Sequence, residues 1–112
     1  ATSNSPTKGS ALSSGDIICY AFDADNGQLY ATVNGNIDTT GTANATGLTT
    51  GKSYFYFFED SGSGTTTVEV NFGNPPFTIS SGNSDANGYG NFEYAVPSGY
   101  YALCTKNLAE YG

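Results

Sequence analysis

Oxygen ligands for a hard cation occur at one short segment, where Asp23, Asp25 and Asn26 lie within five residues. Carboxylate and amide oxygens at such spacing can wrap a Ca²⁺ ion. A calcium loop of the EF-hand type also needs a Glu at its twelfth position, and residues 22–33 contain no Glu. The same residue types are typical of a hairpin turn. We therefore interpret the segment as a turn, keep a metal site as the weaker alternative, and expect no cofactor.

Paired carboxyl groups could in principle hydrolyse a glycosidic bond. The candidates are Glu59, Asp60, Glu69 and Glu93. We interpret them instead as solvated charges that discourage pairing at strand edges. The chain contains no His, which excludes a Ser-His-Asp triad and a His-ligated metal. We therefore expect the protein not to be an enzyme.

The chain is strongly acidic, with Asp+Glu 10 against Lys+Arg 3 in 112 residues and a formal net charge of −7. Binding to a nucleic-acid backbone depends on dense positive charge, and an anionic membrane surface repels an acidic protein. No apolar run approaches the roughly 18 residues that a membrane helix needs. We expect neither nucleic-acid binding nor membrane insertion. The absence of Met also leads us to expect a processed product or a piece of a longer chain.

Aromatic side chains are unusually frequent for such a polar chain, with Tyr 9 and Phe 7. An exposed Tyr can stack on a sugar or anchor a protein interface, whereas a buried Tyr needs a partner for its hydroxyl group. We favour interface or core positions over a glycan-binding platform for five tyrosines: Tyr54, Tyr56, Tyr89, Tyr94 and Tyr100. Five further apolar residues are predicted to form core: Phe55, Phe57, Val68, Val70 and Phe72.

Short apolar or alternating runs bounded by Gly, Asn and Pro predict the elements that must position these residues. Residues 1–15 form a polar N-terminal segment. Residues 16–112 are predicted to form one all-β domain with antiparallel strands and almost no helix. The Asn26-Gly27 turn predicts a hairpin between the first two strands. Strands are predicted at 16–23, 28–33, 53–59, 66–72 and 100–105, with long loops at 34–53 and 78–99.

Two cysteines and one glycosylation sequon are the remaining candidate sites for covalent chemistry or modification. Cys19 and Cys104 each lie in an apolar run, which favours free buried thiols. A disulfide between them remains the alternative. The sequon at Asn44 is interpreted as ordinary loop composition.

Three stretches in this order carry a family resemblance. They are SGDIICYAFDADNGQLY at 14–30, VNFGNPPF at 70–77 and PSGYYALCTKNL at 97–108. The first two resemble the second half of a SPRY domain. The third is similar to the end of SPRY-like regions in large virion proteins of tailed bacteriophages. The resemblance spans about residues 14–108, and the front half of a SPRY domain is absent.

The resemblance implies an antiparallel β-sandwich of jelly-roll type, incomplete by itself or completed by neighbouring chains. It also implies a virion structural protein that forms part of a tail fibre, spike or other appendage and contributes to host-receptor binding. The partners would be other virion subunits, most simply copies of the same chain, and a host surface glycan or protein. A capsid decoration protein is the structural alternative. A carbohydrate-binding module of a secreted enzyme is the alternative from another class.

Overall fold

A computed structural model describes residues 12–56, 58–59 and 62–112. Its regular elements are strand β1 (Ile18–Asp23), strand β2 (Gln28–Val33) and helix α1 (Thr105–Tyr111). The two strands pair antiparallel, with Ile18 opposite Val33 and Asp23 opposite Gln28. The predicted hairpin is confirmed. One antiparallel strand pair and one short helix are compatible with the all-β class.

Side-chain hydrogen bonds close both ends of the hairpin. At the turn, the Asp23 carboxylate accepts hydrogen bonds from the backbone N–H groups of Asp25 at 3.1 Å and Asn26 at 3.0 Å. At the open end, Asn34 has a positive φ of 53°. Its side-chain oxygen accepts from the N–H of Ile17 at 2.9 Å, while its side-chain nitrogen donates to Asp16 at 2.7 Å. These local bonds explain why the hairpin could be read from turn residues.

The free edge of β2 is covered by the segment 44–48. The N–H of Leu29 donates to the carbonyl of Ala45 at 2.9 Å, and the N–H of Leu48 donates to the carbonyl of Gly27 at 3.1 Å. The side-chain oxygen of Asn44 accepts from the N–H of Ala31 at 2.8 Å. Part of the predicted loop 34–53 therefore satisfies backbone groups that a sheet edge would otherwise present to water.

Three of the five predicted strands are not formed by the described residues. The described parts of 53–59 and 66–72 contain no strand, and 100–105 is irregular up to the start of α1. The alternation in these segments specifies which side chains share a face, but a strand also needs a neighbour for its backbone groups. Among the described residues, no neighbouring strand is supplied to them.

The prediction of almost no helix was wrong at the C-terminal end. Residues 105–111 form α1, and their sequence TKNLAEY contains the good helix formers Lys, Leu, Ala and Glu. A search for helical periodicity over ten or more residues cannot detect an element of this length. One side chain of α1, Asn107, is buried, so that the helix is held by a polar contact rather than by an apolar stripe.

The buried apolar set among the described residues is small: Ala21, Tyr30, Ala31, Ala45 and Ala102. These residues lie on the two strands of the hairpin, in the segment that pairs with β2, and just before α1. The core predicted from alternation was wrong, because Val68, Val70 and Phe72 are 41–47% exposed and Phe55 is 85% exposed. Phe57 lies outside the described residues. In the described part of the chain, no helix is long and apolar enough to cross a membrane.

Candidate functional site

A group of packed aromatic rings lies on one side of the hairpin. Tyr20 and Phe22 alternate along β1 and therefore point to the same face. Tyr56 packs edge-on against Tyr20 with ring centroids 5.6 Å apart, and Tyr54 packs on Phe22 at 5.4 Å. Tyr56 also contacts Phe72 at 6.4 Å. We call these five residues the aromatic face: Tyr20, Phe22, Tyr54, Tyr56 and Phe72.

The aromatic face is held together yet remains in contact with solvent. Its five side chains are between 39% and 48% exposed. The hydroxyl of Tyr54 donates to the carbonyl of Thr49 at 2.7 Å. Burial, followed by the neighbouring Tyr56, raises the pKa of Tyr20, as expected where two phenols crowd an apolar surface. Edge-to-face ring packing orders this surface without covering it.

Only two of the five tyrosines proposed as interface or ligand residues, Tyr54 and Tyr56, belong to the aromatic face. Tyr89 is tied to α1: its hydroxyl donates to Glu110 at 2.6 Å, and the ammonium of Lys106 lies 5.1 Å from its ring centroid. The hydrogen bond to Glu110 is the main cause that raises the pKa of Tyr89 to about 12. Tyr89 therefore anchors the helix within the chain.

The remaining two tyrosines are half-buried. Burial, followed by the nearby Asp23 and Tyr30, raises the pKa of Tyr100. Tyr94 is half-buried in the segment after the bridge between Asn83 and Phe92. The tyrosines thus do not form a single row.

A buried polar cluster that sequence reasoning missed is centred on Asp85, whose exposed fraction is 6%. One carboxylate oxygen accepts from the N–H groups of Asn87 and Tyr89, both at 2.9 Å. The other oxygen accepts from the N–H of Ala102 at 2.9 Å and from the side-chain nitrogen of Asn107 at 2.7 Å. Asn107 also donates to the carbonyl of Ala102 at 2.8 Å and accepts from the side chain of Asn87 at 2.8 Å.

This Asp85 cluster connects α1 to the loop at 85–89 through hydrogen bonds. Every buried side-chain nitrogen and oxygen among the described residues has a hydrogen-bond partner. A fully satisfied network of this kind specifies one arrangement of the segments it joins. The signal available in the sequence was the segment Asp85-Ala86-Asn87-Gly88, whose residue types favour a side-chain-capped turn. Its link to Asn107, 22 residues away, carries no local signature.

The Asp23 carboxylate is likewise engaged in local structure. Asp23, the first of the three candidate calcium ligands, is bonded to the turn that contains the other two, and its pKa is lowered mainly by the side chain of Asn26. In the described part of the chain, no group of three His, Cys, Asp or Glu residues is placed to hold a metal ion. The prediction of a turn therefore agrees with the geometry at this position.

Of the four carboxyl groups considered for glycoside hydrolysis, Glu93 holds the segment at 80–81. Its carboxylate accepts from the backbone N–H of Ser80 at 2.8 Å and from the Ser80 hydroxyl, and these bonds lower its pKa. Glu59 and Glu69 are exposed, and Asp60 lies outside the described residues. Glu93 thus has a structural role, because it connects two segments of the chain.

The two cysteines are free and half-buried. Burial raises the pKa of Cys19, which keeps its thiol protonated and unreactive at neutral pH. The favoured prediction of free thiols agrees with this structure, and the disulfide alternative does not. The sequon residue Asn44 uses its side-chain oxygen to bind β2, a structural role for this loop residue.

Acid should destabilise the protein through Asp85. Burial acts to raise the pKa of Asp85, but the hydrogen bonds outweigh it and lower that pKa below its ordinary value of 3.8. A lowered folded-state pKa stabilises the fold above the unfolded-state pKa, and this stabilisation is lost as the pH falls through the folded-state value. We expect the free-energy difference between wild type and Asp85→Asn to be constant from about pH 7 to pH 5 and to shrink below about pH 4.

Urea titrations of wild type and Asp85→Asn across this pH range measure that difference directly. Other carboxylates also have a lowered pKa, among them the half-buried Asp16 and the exposed Asp38, so both proteins should weaken in acid. Only the difference between their free energies of unfolding reports the contribution of Asp85. A difference that grows toward low pH would contradict the assigned hydrogen bonds.

A comparison with protein-family models, with curated proteins and with solved structures finds no match to this chain.

Proposed function

We propose that this chain is a non-catalytic structural module of a tailed-bacteriophage virion, located in a tail fibre, spike or other appendage. The observation that carries the proposal is the aromatic face, an ordered apolar surface that remains 39–48% exposed on its five side chains. Monomeric soluble proteins seldom leave such a surface uncovered unless it serves for binding or assembly. In this proposal the face mediates assembly, and further strands complete a SPRY-like sandwich of jelly-roll type.

The roles of residues within the three SPRY-like stretches support a structural module. Asp16 and Asn34 close the hairpin. Asn71 accepts from the N–H of Gly73 at 2.8 Å and donates to the carbonyl of Asn91 at 2.8 Å. Asn107 belongs to the buried Asp85 cluster. In each stretch a polar side chain of the motif joins separate segments of the chain, which is what a scaffold requires.

Two other functions remain distinguishable by experiment. A capsid decoration protein would use the same apolar contacts on a shell instead of an appendage. A carbohydrate-binding module would present exposed ring faces to sugars. In this structure Tyr54 and Tyr56 are each engaged in edge-to-face contacts with the aromatic face, which favours protein assembly over a flat sugar-stacking platform.

The test is to locate the chain in purified virus particles. Particles from a source culture that contains the coding sequence should yield peptides of this chain in several copies per particle, measured by quantitative mass spectrometry. Antibodies against residues 12–112 should label an appendage in electron micrographs. Labelling of the capsid shell would support the decoration alternative. Recovery of the chain only as a secreted, particle-free protein would overturn the virion proposal.

A further inference from the structure

Three Asn-Gly pairs occur in the chain, at residues 26–27, 34–35 and 87–88. Glycine has no side chain to shield its backbone nitrogen, so this nitrogen can attack the side-chain amide of the Asn that precedes it. We propose that the fold shields the first and third pairs and leaves Asn34-Gly35 as a site of self-modification, at which the Asn side chain loses ammonia. The only co-reactant is water, and the inference is independent of the virion assignment.

The modification proceeds through a cyclic intermediate. The backbone nitrogen of Gly35 forms a bond to the side-chain carbon Cγ of Asn34 and gives its proton to solvent. The Cγ–Nδ2 bond breaks, and the departing nitrogen takes up a proton and leaves as ammonia, so that a succinimide ring remains. Water then opens the ring. Attack of water at Cγ gives an aspartate with the normal backbone, whereas attack at the backbone carbonyl carbon gives an isoaspartyl linkage.

The surroundings of Asn34 favour the first step. The N–H of Ile17 donates to the side-chain oxygen of Asn34 at 2.9 Å, and this oxygen gains negative charge when the Gly35 nitrogen attacks. A hydrogen-bond donor at such an oxygen stabilises the developing charge. Asn34 is also exposed, so that solvent can accept and supply the protons. Within the described part of the chain, the N–H of Gly35 donates no hydrogen bond, so the attack breaks none.

The pair at 87–88 is shielded because its reacting groups are already bonded. The N–H of Gly88 donates to the carbonyl of Asp85 at 3.0 Å. The side-chain nitrogen of Asn87 donates to Asn107 at 2.8 Å within the Asp85 cluster. Ring formation at Asn87 would break both hydrogen bonds, so the folded protein should react slowly at this pair.

The pair at 26–27 is shielded by the segment that covers β2. Gly27 is buried, and the backbone carbonyl of Leu48 fills the place that a β-carbon of Gly27 would take. The side-chain nitrogen of Asn26 donates to Asp23 at 2.7 Å. Closing a ring at this position, and admitting water to open it, would require Leu48 to move.

The modification at Asn34 would remove a contact that closes the hairpin. The side-chain nitrogen of Asn34 donates to the carboxylate of Asp16 at 2.7 Å. Loss of ammonia replaces this donor by a second carboxylate, and the two negative charges repel one another. The open end of the hairpin should therefore loosen as the protein ages. The variant Asn34→Asp reproduces one of the two products and should lower the free energy of unfolding in the same direction.

The experiment measures the loss of ammonia at each pair in the full chain. Wild-type protein is incubated in mildly alkaline buffer, with and without urea, and is then digested with a protease that cleaves after aromatic residues. Mass spectrometry quantifies the mass gained when the amide becomes a carboxyl group, and chromatography separates aspartate from isoaspartate. In urea the three pairs should react at similar rates. In the folded protein Asn34 should react about tenfold faster than Asn26 and Asn87.

The matched variant is Gly35→Ala. The backbone of Gly35 lies outside the left-handed region, and the nearest atom to a β-carbon there would be the carbonyl oxygen of Val33 at 4.0 Å. The variant should therefore fold with the stability of the wild type, which a urea titration checks. Its methyl group obstructs the attacking nitrogen, so the reaction at Asn34 should slow several-fold while Asn26 and Asn87 react as before.

Three results would overturn the inference. The first is a folded protein in which Asn34 reacts no faster than Asn26 or Asn87. The second is the same preference for Asn34 in urea, which would show that the local sequence and not the fold selects it. The third is an unchanged rate at Asn34 in Gly35→Ala. If this variant fails to fold, the comparison of the three pairs in folded and unfolded wild type still decides.

Discussion

Replacing Asp85 by Ala is expected to cause the largest loss of stability of any single carboxylate removal in the described chain. Asp85 is buried and accepts four hydrogen bonds. Without it, the N–H of Ala102 and the side chain of Asn107 lose their acceptor in a place that water reaches poorly. Leaving buried donors unpaired costs about 1 to 3 kcal/mol each when water cannot enter. With two such donors, we expect a total loss of about 2 to 6 kcal/mol in the free energy of unfolding.

The matched control for this variant is Asp38→Ala. Asp38 also caps a turn, accepting from the N–H of Thr40 at 2.9 Å and from its hydroxyl at 2.6 Å, but it is exposed. Water replaces its hydrogen bonds, so we expect a far smaller loss. Urea titrations followed by tyrosine fluorescence and far-ultraviolet circular dichroism compare the two. Equal losses would show that Asp85 is accessible to water and does not fasten α1.

Replacing Gly27 by Ala is the second substitution with a large expected effect. Gly27 ends the hairpin turn with a φ of 63° and is buried. A β-carbon at this position would overlap the backbone carbonyl of Leu48, whose N–H is bonded to Gly27 itself. The left-handed conformation costs a non-glycine residue about 1 to 2 kcal/mol. Displacement of the segment 44–48 from β2 adds to this, so we expect a total loss of about 3 kcal/mol.

The chain provides a close control in Gly47→Ala. Gly47 has a similar φ of 71°, but a β-carbon there would meet no other atom within 4 Å. This variant should lose only the conformational cost, about 1 kcal/mol. Hydrogen exchange gives a second measurement: the amide of Leu29, bonded to Ala45, should exchange faster in Gly27→Ala than in Gly47→Ala. Similar exchange in both variants would contradict the proposed close approach of Leu48.

Features that depend on neighbours along the chain could be predicted from the amino-acid sequence. The hairpin was predictable because Asp23, Asn26 and Gly27 form its turn through contacts of two or three residues. Composition likewise determined the net charge and the absence of imidazole chemistry. Free thiols at Cys19 and Cys104 followed from their apolar surroundings. Each of these properties is local or additive, so no knowledge of distant contacts was needed.

Which of the remaining segments are paired, buried or exposed depends on contacts between residues that are far apart along the chain. Alternation at 66–72 predicted which side chains share a face but not whether that face is buried, and Phe72 is 47% exposed although its ring contacts Tyr56. Asp85 and Asn107 are polar residues, a type that is usually expected at the surface. Both are nevertheless buried, and they form a hydrogen bond although they are 22 residues apart in the chain. A hydrogen bond between distant residues leaves no periodicity in the sequence, because its energy depends on where the chain has folded back.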